Sequence, residues 1–320
     1  MHEHHLRTAG SAGTAAKGFA AAAEMGRIAA LAAAGGRDLR KCADAYGDLF
    51  LGKPFDPGFF AALAHVGAAG SPWETADRLR IVNRAALWVF AVDWLIDVTA
   101  KSADDVDRIV RDCLAAANGT AEAATPLTRL LVDIRDELAS VPAFATGGPV
   151  WNAQLERMLM AMAREWHWNA ARAETADPET RDGEAAEREP ILPDLEEYLG
   201  NADGTGSSFV NVSHWIFTGG PWTLEHLDEL MAISAEVQRY LRLLNDLATY
   251  RRDVGWGDVN VLMLGVDRAE VSERMARLAE RTGELLEPLR DVCPRTVAYL
   301  ECQVGFNTGF YGGADYWGEM

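Results

Sequence analysis

Residues 244–253, with the sequence LNDLATYRRD, carry three polar side chains at intervals of four residues. Because an α-helix repeats about every 3.6 residues, Asn245, Thr249 and Asp253 lie on one face of the helix that this stretch predicts. Leucine and alanine between them predict burial, and a buried polar face needs a partner. An amide oxygen, a hydroxyl and a carboxylate are suitable ligands for Mg²⁺. On spacing alone, a solvated or hydrogen-bonded stripe explains the pattern equally well.

Two further carboxylates, Asp93 and Asp97, stand four residues apart at the end of a long apolar segment. Like charges at this spacing repel each other on one helix face, and their burial is costly unless a cation joins them. A divalent metal ion between them would remove both costs. Carboxylates that face solvent beyond the helix end, with Lys101 as an ion-pair partner, would need no metal, and the sequence alone permits either arrangement.

The composition is typical of soluble globular proteins, with 49% hydrophobic and 24% charged residues among 320. Lys and Arg number 30 against 48 Asp and Glu, a net charge of −18, which argues against a nucleic-acid or anionic-membrane partner. No uninterrupted apolar run reaches the length that spans a bilayer, so membrane insertion is not expected. The four cysteines lack metal-type spacing, so we expect reduced thiols and a cytoplasmic location.

The chain as a whole predicts an all-α fold, because no segment alternates as a strand does. Residues 1–18 are small and polar and are expected to be disordered, whereas residues 19–320 are expected to form one α-helical domain. Ser71, as a cap before Pro72, predicts the start of the helix that runs to Asp97. Residues 173–190 are dense in charged side chains and include proline, which predicts an exposed loop.

The pair Asp93 and Asp97 and the polar face of Asn245, Thr249 and Asp253, called the two acidic lines below, suggest more together than either does alone. Placed opposite each other in a helical bundle, they would hold divalent cations at the mouth of an apolar cavity, which suits a diphosphate with a hydrocarbon tail. Metal ions would neutralise a leaving diphosphate and so allow an allylic C–O bond to ionise. Aromatic faces would then stabilise the carbocation by about 0.5–2 kcal/mol each.

These motifs resemble those of a bacterial class I terpene synthase, a family that includes diterpene synthases. Residues 245–253 look like its second metal motif, with Asp253 in place of the usual Glu, and residues 257–260 look like the sequence that follows it. Residues 93–97 look like its aspartate-rich motif, with Trp94 replacing the second acid. The resemblance implies a single-domain antiparallel helical bundle around a deep apolar cavity, and a cluster of about three Mg²⁺ ions, for which Mn²⁺ can substitute. The implied metal ligands are Asp93, Asp97, Asn245, Thr249 and Asp253.

The resemblance covers roughly residues 40–317, but two arginines with which this family commonly binds diphosphate are missing. No arginine occurs from Tyr198 to Gly206, where the family has a diphosphate sensor, and the C-terminal Arg-Tyr pair of the family is Asp315-Tyr316 here. Another arginine would have to bind the diphosphate, or binding would be weaker. The candidates are Arg252, which matches a basic position of the family, and Arg242, Arg251 and Arg239.

The substrate pocket is expected to include residues near the metal lines and near the C-terminus. Either Gly204 or Gly206 is implied to lie in the element that points a backbone carbonyl at the forming cation. Any single aromatic residue of such a set is explained equally well by ordinary packing. The pocket candidates are Ala86, Val89 and Phe90 beside Asp93, Phe209, Val212 and Ser213 after the glycines, and Phe306, Phe310, Tyr311, Tyr316 and Trp317 in the last segment.

The main hypothesis is a Mg²⁺-dependent class I terpene synthase that cyclises a linear prenyl diphosphate. The small side chains of Ala86 and Ala91 leave room for a C20 tail, which favours geranylgeranyl diphosphate over farnesyl diphosphate. A chain-elongating prenyltransferase would share the fold but would carry two aspartate-rich motifs. A non-catalytic helical protein that binds an isoprenoid or a partner subunit is a third hypothesis, favoured by the missing arginines. Homodimers are common in proteins that this chain resembles.

Overall fold

The computed structural model describes the backbone of residues 4–176 and 192–318 and the side chains of residues 17–174 and 192–318. Every regular element in these ranges is a helix, which confirms the predicted all-α fold. The α-helices are α1 (His4–Ala45), α2 (Pro57–Gly70), α3 (Ala76–Trp94), α4 (Ala103–Ala117), α5 (Pro126–Ala139), α6 (Phe144–Ala176), α7 (Leu195–Gly200), α8 (Ser207–Thr218), α9 (Pro221–Glu225), α10 (Leu227–Trp256), α11 (Arg268–Leu286) and α12 (Pro294–Tyr311).

The main hydrophobic core joins α3, α6 and α8 through three large aromatic side chains. The ring of Phe209 on α8 lies 5.6 Å from that of Trp88 on α3 and 5.2 Å from that of Trp151 on α6, measured between centroids. The indole N–H of Trp88 donates to the carbonyl of Leu127 at 3.0 Å, so burial leaves this donor paired. Burying a large apolar side chain contributes about 1.5–3 kcal/mol, and these contacts hold the three helices in fixed positions.

Close packing of α1 and α2 on α3 depends on two glycines. The side-chain amide of Asn83 on α3 lies between Gly35 of α1 and Gly67 of α2. A Cβ atom at Gly35 would lie 2.7 Å from Asn83 Nδ2, and one at Gly67 would overlap with Asn83 Oδ1. Only glycine permits this approach of the backbones, so larger residues at either position would push the helices apart.

The N-terminal part of the chain differs from the sequence expectation. Residues 1–18 were expected to be disordered, whereas the described backbone is helical from His4 onward as part of α1. Alanine, the best helix former, is frequent in this segment and favours continuation of the helix. Residues 1–3 lie outside the described residues, as do the side chains of residues 4–16.

Helix α3 begins later than the sequence predicts. Ser71 ends α2, with its N–H donating to the carbonyl of Gly67 at 3.1 Å. Thr75 is the cap of α3, with its hydroxyl oxygen accepting from the N–H of Arg78 at 3.3 Å. Both Ser71 and Thr75 are good capping residues, and the turn between them shifts the start of the helix. The opposite end of α3, where Asp93 lies, is unaffected.

Some whole-chain expectations can also be compared with the structure. Among the described residues, no helix is both long and apolar enough to cross a membrane. The four cysteines are free thiols, and three of them are buried. Of the predicted exposed loop at 173–190, residues 173–176 are the end of α6, and residues 177–190 lie outside the described residues.

Candidate active site

A cavity of about 270 Å³ lies among α2, α3, α6, α8, α10 and α12. Asp93 and Asp97 border it from the end of α3, and Asn245 and Asp253 border it from α10. The structure therefore brings the two acidic lines of the sequence to one cavity. Away from the acids the lining becomes mostly apolar and includes Leu63, Val66 and Val82.

The first wall of the site is the C-terminal end of α3. The helix widens there into a π-helical turn, Leu95–Thr99, in which the N–H of Ala100 donates to the carbonyl of Leu95 at 2.8 Å. Such turns are rare and frequently occur at functional sites. Asp93 precedes the turn and Asp97 lies within it. Neither carboxylate makes a hydrogen bond or an ion pair with any residue that the structure describes.

The second wall is the polar line of α10, and hydrogen bonds hold it in place. Asn245 Nδ2 donates to the hydroxyl of Tyr311 at 2.9 Å, which leaves Asn245 Oδ1 available to a cation. Thr249 is buried behind the lining, with Oγ1 2.7 Å from Asp253 Oδ2. Asn260 Nδ2 donates to the same carboxylate oxygen at 2.8 Å. The Asp253 carboxylate is therefore fixed by two neighbours before any ligand binds.

Asp246, the second residue of the predicted motif, anchors the segment that follows α10. It is 2% exposed, and its Oδ2 accepts hydrogen bonds from the hydroxyl of Tyr198 at 2.8 Å and the N–H of Val261 at 3.2 Å. Asn260 Nδ2 also donates to the backbone carbonyl of Asp246 at 2.9 Å. Asp246 and Asn260 thus act as positioning residues for the second wall.

Acidic groups outnumber basic groups around the cavity, where six carboxylates and two guanidinium groups form part of the lining. Burial, followed by the nearby Glu165 and Asp258, raises the pKa of Asp93 to about 7. Burial and then Asp93 raise the pKa of Asp97 well above its usual range, but Asp97 is exposed where it borders the cavity, so water screens part of this cost. Burial and Glu165 raise the pKa of Asp258 to about 7. Repulsion among these groups is a cost that a bound cation would offset.

Arg242 of α10 lines the cavity, and most of its donors are engaged with the protein. Its Nη1 donates to Glu165 Oε2 at 2.7 Å, its Nη2 donates to the other oxygen of that carboxylate, and its Nε donates to the hydroxyl of Tyr198 at 2.8 Å. Its guanidinium carbon lies 4.3 Å from the centroid of the Tyr198 ring. A bidentate pair of this kind is strong and specific. Arg242 therefore neutralises Glu165, and four of its five N–H groups are paired, which leaves one N–H of Nη1 without a partner among the described residues.

Arg252 has a donor that the protein leaves unpaired. Its Nη1 donates to Asp315 of the C-terminal tail, and its Nη2 lies 3.4 Å from Asp253 Oδ1. Its Nε is buried and has no hydrogen-bond partner among the described residues. Because an unpaired buried donor is costly, an anionic ligand at this position would relieve a cost. The other two candidates lie outside the lining, since Arg239 pairs with Glu236 at 2.7 Å and Arg251 is exposed.

Both candidate glycines border the cavity, and a different structural feature favours glycine at each position. Gly206 has φ +73° at the start of α8, and a Cβ there would overlap with Val89. This left-handed conformation favours glycine strongly. Gly204 lies in the 3₁₀-helix Ala202–Thr205, where a Cβ would lie 3.3 Å from Glu165 Oε2. The backbone conformation therefore demands glycine at 206, and the close approach of Glu165 favours it at 204.

Several predicted pocket residues do line the cavity, and the C-terminal tail closes one side of it. Trp317 stacks on Phe59 with ring centroids 5.8 Å apart and packs edge-on against Phe90 at 5.1 Å. The hydroxyl of Tyr316 donates to Asn307 Oδ1 at 2.8 Å. The predicted pocket residues that line the cavity are Ala86, Val89, Phe90, Tyr311, Tyr316 and Trp317.

Other predicted pocket residues lie elsewhere, because they occupy the wrong helix face. Successive residues of a helix are rotated by about 100°, so Val210 faces the cavity while Phe209 packs between Trp88 and Trp151. Ser213 accepts a hydrogen bond from the indole N–H of Trp151 at 2.9 Å. On α12 the cavity face contains Gln303 and Asn307 instead of the predicted Phe306 and Phe310. The residues that the structure does not bring to the cavity lining are Phe209, Val212, Ser213, Phe306 and Phe310, together with the buried Thr249.

Some lining residues were missed from the sequence. Glu165 comes from α6, where no motif surrounds it, and no sequence signal could have singled it out. The cavity face of α12 has a detectable signal, because Tyr299, Gln303, Asn307 and Tyr311 follow one another at intervals of four residues. This spacing places polar side chains on one helical face over three turns.

The donor atoms of the two walls fit a hard divalent cation, because all of them are oxygen atoms. Among the described residues, no three His, Cys, Asp or Glu side chains come close enough together to hold a metal ion alone. An ion here would share its coordination between protein oxygens and those of a ligand, as Mg²⁺ does with one or two carboxylates and the phosphates of a substrate. The residues available for this are Asp93, Asp97, Asn245 and Asp253.

Known families and proteins resemble this chain in the region that contains both walls. The family described as terpene synthase family 2, C-terminal metal binding, matches residues 84–282. This description implies the use of a divalent metal ion. A curated relative, ent-pimara-9(11),15-diene synthase from Streptomyces sp. (strain KO-3988), is 25% identical over 288 residues, which cover 88% of this chain and 91% of the relative.

Solved structures show the same fold at lower sequence identity. Linalool/nerolidol synthase from Streptomyces clavuligerus is 18% identical, with a TM-score of 0.65, and the match covers 88% of this chain and 94% of that one. For 2-methylisoborneol synthase from Streptomyces coelicolor A3(2) the identity is 14%, the TM-score 0.62 and the coverage 87% and 89%. Since the family match extends over more than half of the sequence, this chain belongs to terpene synthase family 2.

Proposed function

We propose that the protein is a Mg²⁺-dependent class I terpene synthase that ionises a linear prenyl diphosphate, with geranylgeranyl diphosphate preferred over farnesyl diphosphate, and cyclises the resulting cation. The observation that carries this proposal is the pair of oxygen-bearing walls at one apolar cavity, with the unpaired Nε of Arg252 beside them. The diphosphate would bind at the two polar walls, and the hydrocarbon chain would occupy the apolar part of the cavity.

The two walls would hold the metal cluster from opposite sides. Asp93 and Asp97 would bind from α3, and Asn245 and Asp253 would bind from α10, with Thr249 supporting Asp253 through the 2.7 Å contact. Bound Mg²⁺ ions would supply Lewis-acid neutralisation of the negative charge that leaves with the diphosphate. Thr249 itself remains a predicted ligand that would have to reach the ion from behind the lining.

The leaving diphosphate would be gripped by Arg252. When the allylic C–O bond breaks, the electron pair stays with the diphosphate oxygen, and the guanidinium of Arg252, which borders the cavity, would donate to that anion once the side chain turns its unpaired Nε toward it. A charge-assisted hydrogen bond of this type is roughly twice as strong as a neutral one. Arg242 would contribute mainly through its positive charge, because Glu165 and Tyr198 occupy four of its five N–H donors.

The carbocation would form in a part of the cavity that is mostly apolar and partly aromatic. Phe90, Trp94 and Trp317 border it, and each aromatic face would stabilise a nearby cation by about 0.5–2 kcal/mol. The C-terminal tail, held by the stacking of Trp317 on Phe59, would exclude water from the cation. Loss of a proton would then give a cyclic hydrocarbon, and capture of water would give an alcohol.

The preference for a C20 substrate has two supports. Ala86 is a small residue of the lining on the face of Asp93, and the curated relative is named for the synthesis of ent-pimara-9(11),15-diene. We place the reaction in the cytoplasm, which is consistent with the four free thiols. Assembly as a homodimer stays a prediction from the resemblance.

The test is direct incubation of the purified protein with geranylgeranyl or farnesyl diphosphate and Mg²⁺, followed by mass spectrometry of the extracted products. We expect a cyclic terpene, more of it from the C20 substrate, and none after addition of EDTA. A longer linear diphosphate, formed when isopentenyl diphosphate is also present, would instead indicate a chain-elongating prenyltransferase. Binding without any product would indicate a non-catalytic isoprenoid-binding protein, and either outcome would refute the proposal.

A further inference from the structure

A second cavity, of about 350 Å³, adjoins the first. It is lined by the aromatic side chains of Trp73, Trp215 and Trp222, together with polar groups that include His214 and Arg295. Tyr299 of α12 borders both cavities. Gly70 belongs to the lining of the first cavity and Ser71 to that of the second, so the end of α2 also lies at the boundary.

The ring of Tyr299 is held firmly at this boundary. The side chain is 4% exposed, and its hydroxyl donates to Asn211 Oδ1 at 2.9 Å. On one side the ring packs on the backbone of α2, where a Cβ at Gly70 would lie 3.1 Å from Tyr299 Cδ2. Elsewhere it contacts the imidazole of His214, with centroids 4.7 Å apart. Contacts with two helices, α2 and α8, therefore keep the ring from turning aside.

Tyr299 lies at the end of the first cavity that is opposite to Asn245 and Asp253. Tyr311, which accepts a hydrogen bond from Asn245, marks the mouth on α12. Twelve residues of helix separate Tyr311 from Tyr299, which corresponds to about 18 Å along the axis. A prenyl chain whose diphosphate binds at Asn245 and Arg252 would extend along this face and meet the Tyr299 ring at its far end.

We propose that Tyr299 is the specificity-determining residue that limits the length of the prenyl chain, by separating the active-site cavity from the aromatic cavity behind it. This inference rests on the proposed function. Without the ring the two cavities would join, and the tryptophan side chains beyond would provide an apolar surface for one more isoprene unit. The hydroxyl serves to orient the ring through Asn211, and the ring itself forms the barrier.

The experiment compares prenyl diphosphates of increasing length, from C10 to C25, with the unchanged protein and its variants. The measured quantity is the ratio of kcat/KM for the substrate one isoprene unit longer than the best one to kcat/KM for the best one. In Tyr299→Ala and Tyr299→Leu we expect this ratio to rise by about tenfold or more, since a few methylene groups in an apolar pocket can produce such differences. In Tyr299→Phe, which retains the ring, we expect a change of less than about threefold.

A matched control is available on α10. Tyr240 is also a buried tyrosine, 8% exposed and hydrogen-bonded to Thr308 at 2.8 Å, but it borders neither cavity. Tyr240→Leu makes the same chemical change and should leave the ratio as it is in the unchanged protein. If Tyr299→Ala does not fold, Tyr299→Leu and Gly70→Ala, whose new Cβ would displace the ring, keep the test intact. Folding is checked by circular dichroism and thermal melting.

Two results would overturn the inference. The first is an unchanged ratio in every folded variant at Tyr299 and Gly70, and the second is an equal rise in Tyr240→Leu. Both leave the proposed function standing, because the unchanged protein would still convert a prenyl diphosphate. If the unchanged protein converts none of them, the proposed function fails first, and the inference about chain length fails with it.

Discussion

The two walls of the site bind the same kind of ligand in the proposed reaction but are built in opposite ways. On α10, Asn245 donates to Tyr311, and Asp253 accepts from Asn260 and contacts Thr249. On α3, Asp93 and Asp97 have no hydrogen-bond partner among the described residues. The first arrangement is preorganised. The second consists of two carboxylates that only their helix positions, α3 and the π-helical turn, hold near each other.

This difference indicates how the energy of the site is distributed. Burial and repulsion from nearby carboxylates, chiefly Glu165 for Asp93 and Asp93 for Asp97, raise the pKa values of Asp93 and Asp97, so the charged form of the α3 wall is costly in the folded protein. A bound cation would remove that cost, so relief of the repulsion between the carboxylates would contribute to the free energy of cation binding. The α10 wall has a smaller cost of this kind to release, because hydrogen bonds from Asn260 and Thr249 partly offset the burial that raises the pKa of Asp253. Removing a wall residue should accordingly have different effects on the two sides.

The largest expected effect is loss of activity from either wall. We expect Asp97→Asn and Asn245→Ala each to lower kcat/KM by about a thousandfold, a loss typical when a group that stabilises transition-state charge is removed. Far-UV circular dichroism should remain that of the unchanged protein. Asp107→Asn, on the exposed surface of α4, is the matched control and should keep full activity. Near-normal turnover in either wall variant would refute the assignment of that wall as a metal site.

The second prediction concerns ligand-induced stability. Mg²⁺ and inorganic diphosphate together should raise the melting temperature by an amount that corresponds to about 2.7 kcal/mol when both are present at a hundred times the dissociation constant. Mg²⁺ alone should have a much smaller effect, because no three acidic side chains among the described residues can hold an ion alone. Differential scanning fluorimetry measures both. An equal effect of Mg²⁺ alone would contradict shared coordination with a ligand.

The two walls also show how much the sequence could predict. The spacing of Asn245, Thr249 and Asp253 predicted one helical face, and α10 has that face. It could not predict that Thr249 is buried behind the lining, because the exact rotation of a helix depends on what packs against it. The same limitation explains why Phe209 was assigned to the pocket although it lies between Trp88 and Trp151.

Residues contributed by other helices were the least predictable part of the site. Glu165 and Arg242 form one buried pair although they are far apart in sequence, and nothing local to either indicates the other. The fold class needed only local information, namely helical periodicity and the absence of alternating segments, and it was predicted correctly. The ion pairs of the site depend on how α6, α10 and the C-terminal tail meet, which no single segment encodes.

The third prediction tests whether the α10 wall is preorganised by its neighbours. Asn260 is fully buried and donates both to the carboxylate of Asp253 and to the carbonyl of Asp246. Asn260→Ala removes a buried donor from the Asp253 carboxylate, to which Thr249 still donates, and from the carbonyl of Asp246. This loss should lower the free energy of unfolding by about 2–3 kcal/mol. We also expect a lower kcat with a smaller change in KM, as measured by urea unfolding and steady-state kinetics. Unchanged stability would mean that the wall does not depend on this amide.

The smallest effect should have opposite signs on the two walls. In the metal-free protein, Asp93→Asn should raise the free energy of unfolding by about 1 kcal/mol, after allowance for partial access to water. Asp253→Asn should lower it by about 1–2 kcal/mol, because the amide oxygen can keep the contacts with Asn260 and Thr249 but the new N–H group would face Nη2 of Arg252. Urea unfolding in the presence of EDTA measures both. The same sign on both walls would show that the contrast between them is not real.

The gain from Asp93→Asn should also depend on pH in a defined direction. The pKa of Asp93 is raised from 3.8 to about 7 in the folded protein, so the folded state holds a proton that the unfolded state loses between these values. Stability of the unchanged protein therefore falls as pH rises through this window, and the variant lacks that contribution. The difference in free energy of unfolding between the variant and the unchanged protein should be near zero at pH 4 and should reach its full value above pH 7. A difference that does not vary with pH would mean that the destabilisation by Asp93 is steric, and that charge repulsion does not distinguish the α3 wall from the α10 wall.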